Sequence, residues 1–145
     1  MDKKQFALEQ ISPYYKDPTT CGYEYSSCKY LTSDGRQCVL GKNLKHVDVN
    51  MEGDATYILE GYNEGMVYDE DAEPIDLRSK MLKEEVADIL TVDEWKQLQN
   101  VHDYIAIGFH SKTEDDRQIA LTNLKGSIQK LRLFTLEELK EYCNK

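Results

Sequence analysis

Apolar residues recur at steps of three and four through the second half of this chain, which predicts a helical unit there. The clearest stretch opens with Thr91-Val-Asp-Glu94, a capping box in which the threonine side chain and the glutamate satisfy each other's free backbone donors. Trp95, Leu98, His102, Ile105 and Phe109 follow on one helical face. A second helix is expected from near Thr113, where Glu114-Asp-Asp116 suits the positive end of a helix dipole, to about Arg132. Its apolar positions are Ile119, Leu121, Leu124, Ile128 and Leu131. Another capping box, Thr135-Leu-Glu-Glu138, starts a short last helix over Leu136 to Cys143.

The first half is more broken. Asp2 can cap a helix running to about Tyr15, with Phe6, Ala7 and Ile11 as a weak apolar face before Pro13 and Pro18. Tyr23 to Thr32 leans toward strand, Ser33-Asp34-Gly35 has tight-turn chemistry, and Gln37 to Leu40 is either the return strand or the first turn of a helix. A small antiparallel hairpin over residues 23–40 is the expectation. Asp54 can cap a short helix, Ala55 to Glu60, stopped by Gly61. Glu64 to Pro74 reads as an acidic loop, and Ile75 to Leu90 as a helix through Leu77, Met81, Leu82, Val86 and Ile89 or Leu90. The fold class expected is α+β, a mostly helical single domain over 1–145 with a small antiparallel β element and a helical C-terminal half.

Charge changes the picture more than length or composition. The net charge is −9, and residues 51–95 alone carry fourteen Asp/Glu against three Lys/Arg, which is −11. Glu60, Glu64, Asp69, Glu70, Asp71, Glu73 and Asp76 follow one another with no base between them. A field of that sign repels a nucleic-acid backbone and attracts basic surfaces, so direct DNA or RNA binding is disfavoured. No stretch approaches a membrane span in length, and the N-terminus lacks an apolar signal core, so no membrane association and a cytoplasmic location are expected. Four cysteines, three of them in the first forty residues, fit free thiols better than a disulfide framework.

Two signatures carry the candidate chemistry. One is Cys28-Lys-Tyr30-Leu-Thr-Ser-Asp-Gly35-Arg36-Gln-Cys38-Val-Leu-Gly41; the other is Leu98-Gln99-Asn100-Val101-His102-Asp103. A catalytic reading takes Cys38 as nucleophile, its thiol activated at a helix start beside Arg36, with His102 as base and Asp103 or another carboxylate as orienter. Neighbouring helix residues point about 100° apart, so Asp103 is poorly placed to orient His102. The blander reading makes Cys38 a small buried group and His102 a satisfied core histidine, and it is preferred. Zinc on Cys21, Cys28, Cys38 and His46 would need gaps of six, nine and seven residues instead of tight Cys-x2-Cys pairs, so no metal and no cofactor are expected. Asp69, Asp71 and Glu73 lack the glycine and closing glutamate of a calcium loop. Tyr30, Arg36, Cys38 and His102 together could line a small-molecule pocket, with Arg36 for a phosphate and the tyrosine for stacking.

At these positions the chain resembles a group of small phage and prophage proteins with no established activity. Cys28, Tyr30, Gly35, Cys38 and Gly41 match its first motif, Glu60-Gly61 its acidic middle, and Leu98, Gln99, His102 and Asp103 its helix motif. The group carries a further cysteine and an apolar run after the last glycine of the first motif, where this chain has Lys42-Asn43-Leu44. The resemblance implies a phage-type setting, hence the host cytoplasm. The expected function is an accessory protein that binds a host factor with a basic surface, inhibiting a defence or nucleic-acid-processing component. Its contact surface would be the seven acids from Glu60 to Asp76, with Tyr57, Tyr62 and Tyr68 as apolar anchors. The alternatives are a cysteine-dependent hydrolase or transferase using Cys38 and His102, and a nucleotide-binding protein.

Overall fold

A computed structural model of the chain describes residues 2–49, 51, 58–61 and 75–145. Helix α1 (Lys3–Lys16) is capped by Asp2, whose carboxylate accepts from the Lys4 amide. A 3-10 turn (Pro18–Thr20) leads to strands β1 (Tyr23–Glu24) and β2 (Ser27–Cys28), which pair antiparallel with Tyr23 opposite Cys28. Helix α2 (Val39–Asn43) follows, then strands β3 (Glu60–Gly61) and β4 (Ile75–Asp76), also antiparallel, and the single turn α3 (Arg78–Met81). Long helices α4 (Val92–His110) and α5 (Glu114–Leu131) and the short α6 (Leu136–Cys143) complete the chain. The class is α+β and mostly helical, as expected.

Helix α4 organises the rest, because α5, α1 and α2 all pack on it, while α6 packs on α1. Trp95, Leu98 and Val101 are fully buried, and Phe6 of α1 meets the Trp95 ring edge-on at 5.6 Å. These side chains join Ile11, Leu40, Leu59, Leu82 and Leu139 in one core that draws on nearly every described element. Both expected capping boxes form, at Thr91/Glu94 and Thr135/Glu138. Among the described residues no helix is long and apolar enough to cross a membrane.

Four local expectations need correction. The hairpin turns at Tyr25-Ser26, not at Ser33-Asp34-Gly35, with both turn residues left-handed at φ 55° and 61°. That is the backbone of the tightest hairpin turn without its usual Asn-Gly, so no residue pattern marks it. Gly35, at φ 90°, instead closes a loop in which its amide donates to the Thr32 carbonyl at 3.1 Å, and the following residues enter α2. Ile75 to Leu90 is not one helix. Ile75–Asp76 pairs with β3, Leu82 bridges to Leu44, and the Lys83 amide donates to the Asn43 carbonyl, so tertiary pairing takes the backbone groups a helix would need. The proposed helix over 55–60 ends before Glu60, which is in β3, and its residues 55–57 lie outside the described residues, as does the acidic loop 64–74. On α5 the buried face is Ala120, Leu124, Ser127, Ile128 and Leu131, leaving Ile119 60% exposed; Phe109 on α4 is likewise 51% exposed.

The start of α2 is pressed against the chain at Tyr30. A Cβ on Gly41 would overlap the Tyr30 carbonyl oxygen, whereas one on Gly35 would meet nothing. Gly41→Ala is therefore expected to destabilise the fold by about 2–4 kcal/mol, an overpacking and backbone-shift cost. Gly35→Ala, strained only by its positive φ, should cost about 1 kcal/mol. Urea midpoints of the two variants measure the difference.

Candidate functional site

The two signatures do meet. Gln99, His102 and Asp103 share one face of α4 at the i, i+3, i+4 spacing, and that face looks onto the loop carrying Gly22 and the first turn of α2 carrying Leu40. The buried Leu40 amide donates to Gln99 Oε1 at 2.9 Å, and the buried Gly22 amide donates to His102 Nε2 at 3.1 Å. Asp103 Oδ1 accepts from both Gln99 Nε2 and His102 Nδ1, each at 2.8 Å. The adjacent carboxylate thus does orient His102, contrary to the helical-wheel expectation. The wheel fixes only the Cβ directions, and the short 103 side chain turns back to reach the ring.

This bonding pattern fixes the tautomer. A backbone amide can only donate, so Nε2 is the bare nitrogen and Nδ1 carries the proton it gives to Asp103. Tyr14 meets the ring edge-on at 4.6 Å, and its own hydroxyl donates to the Gln37 carbonyl at 2.6 Å. Both nitrogens of His102 are engaged, so neither remains to take a proton from a thiol.

Cys38 caps α2, its Sγ accepting from the Gly41 amide at 3.3 Å, which is the helix-start position foreseen for it. The cation foreseen for activation, Arg36, is engaged elsewhere. Arg36 is held by Asp34 at 2.9 Å and by the carbonyls of Cys21 and Tyr23 at 3.2 and 3.0 Å. Burial pushes the Cys38 thiol up to about 12, against a smaller opposing pull from the Gly41 amide. Burial and then the Asp103 carboxylate do the same to Cys21, also to about 12, and raise Cys28 further. The lowered thiol pKa expected for Cys38 is reversed.

The four proposed ligand-binding residues leave no room for a ligand. Tyr30, Cys38 and His102 are 3%, 1% and 0% exposed, and Arg36 is half-buried and spent on the main chain. Among the described residues, the donors close enough to share a metal ion are Cys28, His102 and Asp103, within 4.8 Å of one another. His46, of the zinc set considered from sequence, is exposed and not among them. A metal on Nδ1 would move the ring proton to Nε2 and set it against the Gly22 amide, so the trio does not fit a metal in this arrangement.

Of the seven acids proposed for a partner, Glu60 and Asp76 are described, and both are internally paired. Glu60 lies 3.8 Å from Lys96, and Asp76 lies 2.7 Å from Arg78, whose guanidinium holds the Asp76 carboxyl below its ordinary range. Glu64, Asp69, Glu70, Asp71 and Glu73 lie outside the described residues. Sequence reasoning missed three further acids, Glu84, Glu85 and Asp88. They are exposed on a series of turns, where the sequence pattern predicts a helix. It also missed Lys42, which lies over the Tyr14 ring at 4.6 Å and donates to the Gln10 carbonyl at 3.0 Å; burial lowers its pKa to about 8. Compared with known proteins, the chain matches no family model, no curated protein and no solved structure.

The buried thiols make stability fall in alkali. In the unfolded chain they ionise near 9, while in the fold Cys21 and Cys38 hold their protons to about 12. Their contribution is complete below pH 9 and is lost as pH rises toward 12, at up to about 1.4 kcal/mol per pH unit for each thiol. Lys42 works the other way, gaining stability as pH rises from 8 to its unfolded value of 10.5, so it offsets one thiol. Urea unfolding is expected to show stability rising between pH 8 and 9, where Lys42 alone acts, and falling from 9 to 10.5; Lys42→Met should abolish the rise and steepen the fall. Iodoacetamide at pH 8 is expected to label Cys21 and Cys38 in the native protein far more slowly than a peptide thiol.

Proposed function

We propose that this is a phage-type accessory protein that acts by binding, not by covalent chemistry, and that it engages a basic host surface through its acidic middle. The observation that carries this reading is the segregation of charge, −11 over residues 51–95 against +1 on either side. The structure adds exposed carboxylates to it, since Glu84 and Glu85 make no hydrogen bond or ion pair with the described residues, and Asp88, exposed beside them, acts on Arg78 only through its charge. Carboxylates at such density stand in for phosphates, so a defence or nucleic-acid-processing factor with a phosphate-binding surface is the partner class, met in the host cytoplasm. The internal pairing of Glu60 and Asp76 makes them supports of this surface; the remaining acids of the segment carry the contact.

The cysteine-dependent and signature-pocket alternatives lose their support, because the groups they require are buried and bonded to one another. The binding reading is tested by affinity capture from host lysate with three baits: the native chain, a variant with Glu84→Gln, Glu85→Gln and Asp88→Asn, and one with Glu64, Asp69, Glu70, Asp71 and Glu73 neutralised. The expected outcome is a basic partner held by the native chain, released by salt and lost from at least one variant. A partner retained equally by all three baits would place the interface elsewhere.

A further inference from the structure

At the C-terminal end of α4, a cleft of about 360 Å3 that none of the signature residues lines opens between α4, α5 and the first hairpin. Its size falls within the range of small-ligand sites. One wall is aromatic. Tyr23 of β1 stacks on His110, the last residue of α4, with ring centroids 4.5 Å apart and planes within 15°. The sides are apolar where a monomer gains nothing from them, since Ile107 and Ile119 line the cleft while 38% and 60% exposed. Besides the stacked pair, four polar side chains line it without a side-chain hydrogen bond or ion pair to the described residues: Tyr104, Lys112, Asp116 and Asn123.

A matching ligand has a flat face to continue the Tyr23–His110 stack, apolar surface for the isoleucines and a polar edge for an amide that both donates and accepts. It also has hydroxyls for a carboxylate and a single anionic group for one lysine. We propose that the cleft binds a nucleoside monophosphate, its base against the aromatic wall and its phosphate at Lys112. A phosphate monoester brings close to two negative charges, which Lys112 offsets in part with Asp116 turned to the ribose hydroxyls; a triphosphate would bring about four to the same single cation. This site is independent of the acidic partner surface, and either can fail without the other.

The test is a titration of the 15N-labelled full chain with AMP, GMP, CMP and UMP and with the four nucleosides, followed by amide shifts. Saturable shifts confined to residues around Tyr23, 107–112 and 119–123 are expected with at least one base. His110→Ala should weaken binding of both forms about tenfold through lost stacking. Lys112→Ala should weaken the monophosphate while leaving the nucleoside unchanged. Both side chains are exposed, so the variants should keep the native amide spectrum. No saturable shift at millimolar ligand, shifts that map elsewhere, or unchanged affinity in His110→Ala would each overturn the assignment.

Discussion

The backbone amides of Gly22 and Leu40 are buried in segments with no ladder to pair them, and α4 satisfies both through side chains 80 and 59 residues away in sequence. A buried donor left without a partner costs about 1–3 kcal/mol, a large share of the stability of a domain this size. The partners must therefore be acceptors fixed in place. Asp103 provides that fixing by accepting from both Gln99 and His102, which turns Gln99 Oε1 toward Leu40 and leaves His102 Nε2 bare toward Gly22. The chain here is in turn packed close enough to need Gly41 in the first signature and Gly22 just before it. A Cβ on Gly22 would sit 2.5 Å from the Cys38 amide nitrogen and from the Lys29 carbonyl oxygen.

This arrangement explains why residues typical of catalytic sites occur here without the properties of one. Cysteine, histidine and aspartate are also the groups with which a helix can bond to buried main chain at short range. Burial then pushes the thiols up instead of activating them. The chemistry that remains available to other molecules lies on the periphery, in the exposed carboxylates of residues 84–88 and in the aromatic cleft at the end of α4.

The long helices were legible because their signals are local. Capping boxes at Thr91 and Thr135, acids at the start of α5 and the apolar steps of α4 each act within one or two turns. What could not be read depends on distant partners. The hairpin turn at Tyr25-Ser26 is held left-handed without a glycine, and residues 75–90 trade a plausible helix for pairing with β3 and Leu44. The site was legible in composition but not in role. His102 was placed correctly on the core face of α4, yet nothing in the spacing showed that its acceptor nitrogen would meet a backbone amide near the other signature.

The central claim is that α4 holds the first signature through acceptor side chains, with His102 neutral and protonated on Nδ1. A nitrogen-detected NMR experiment on uniformly 15N-labelled protein tests it directly, by looking for a coupling across the hydrogen bond between the Gly22 amide nitrogen and His102 Nε2. The account predicts that coupling, together with an Nε2 shift typical of an unprotonated ring nitrogen. A protonated Nε2, with no coupling to Gly22, would contradict it.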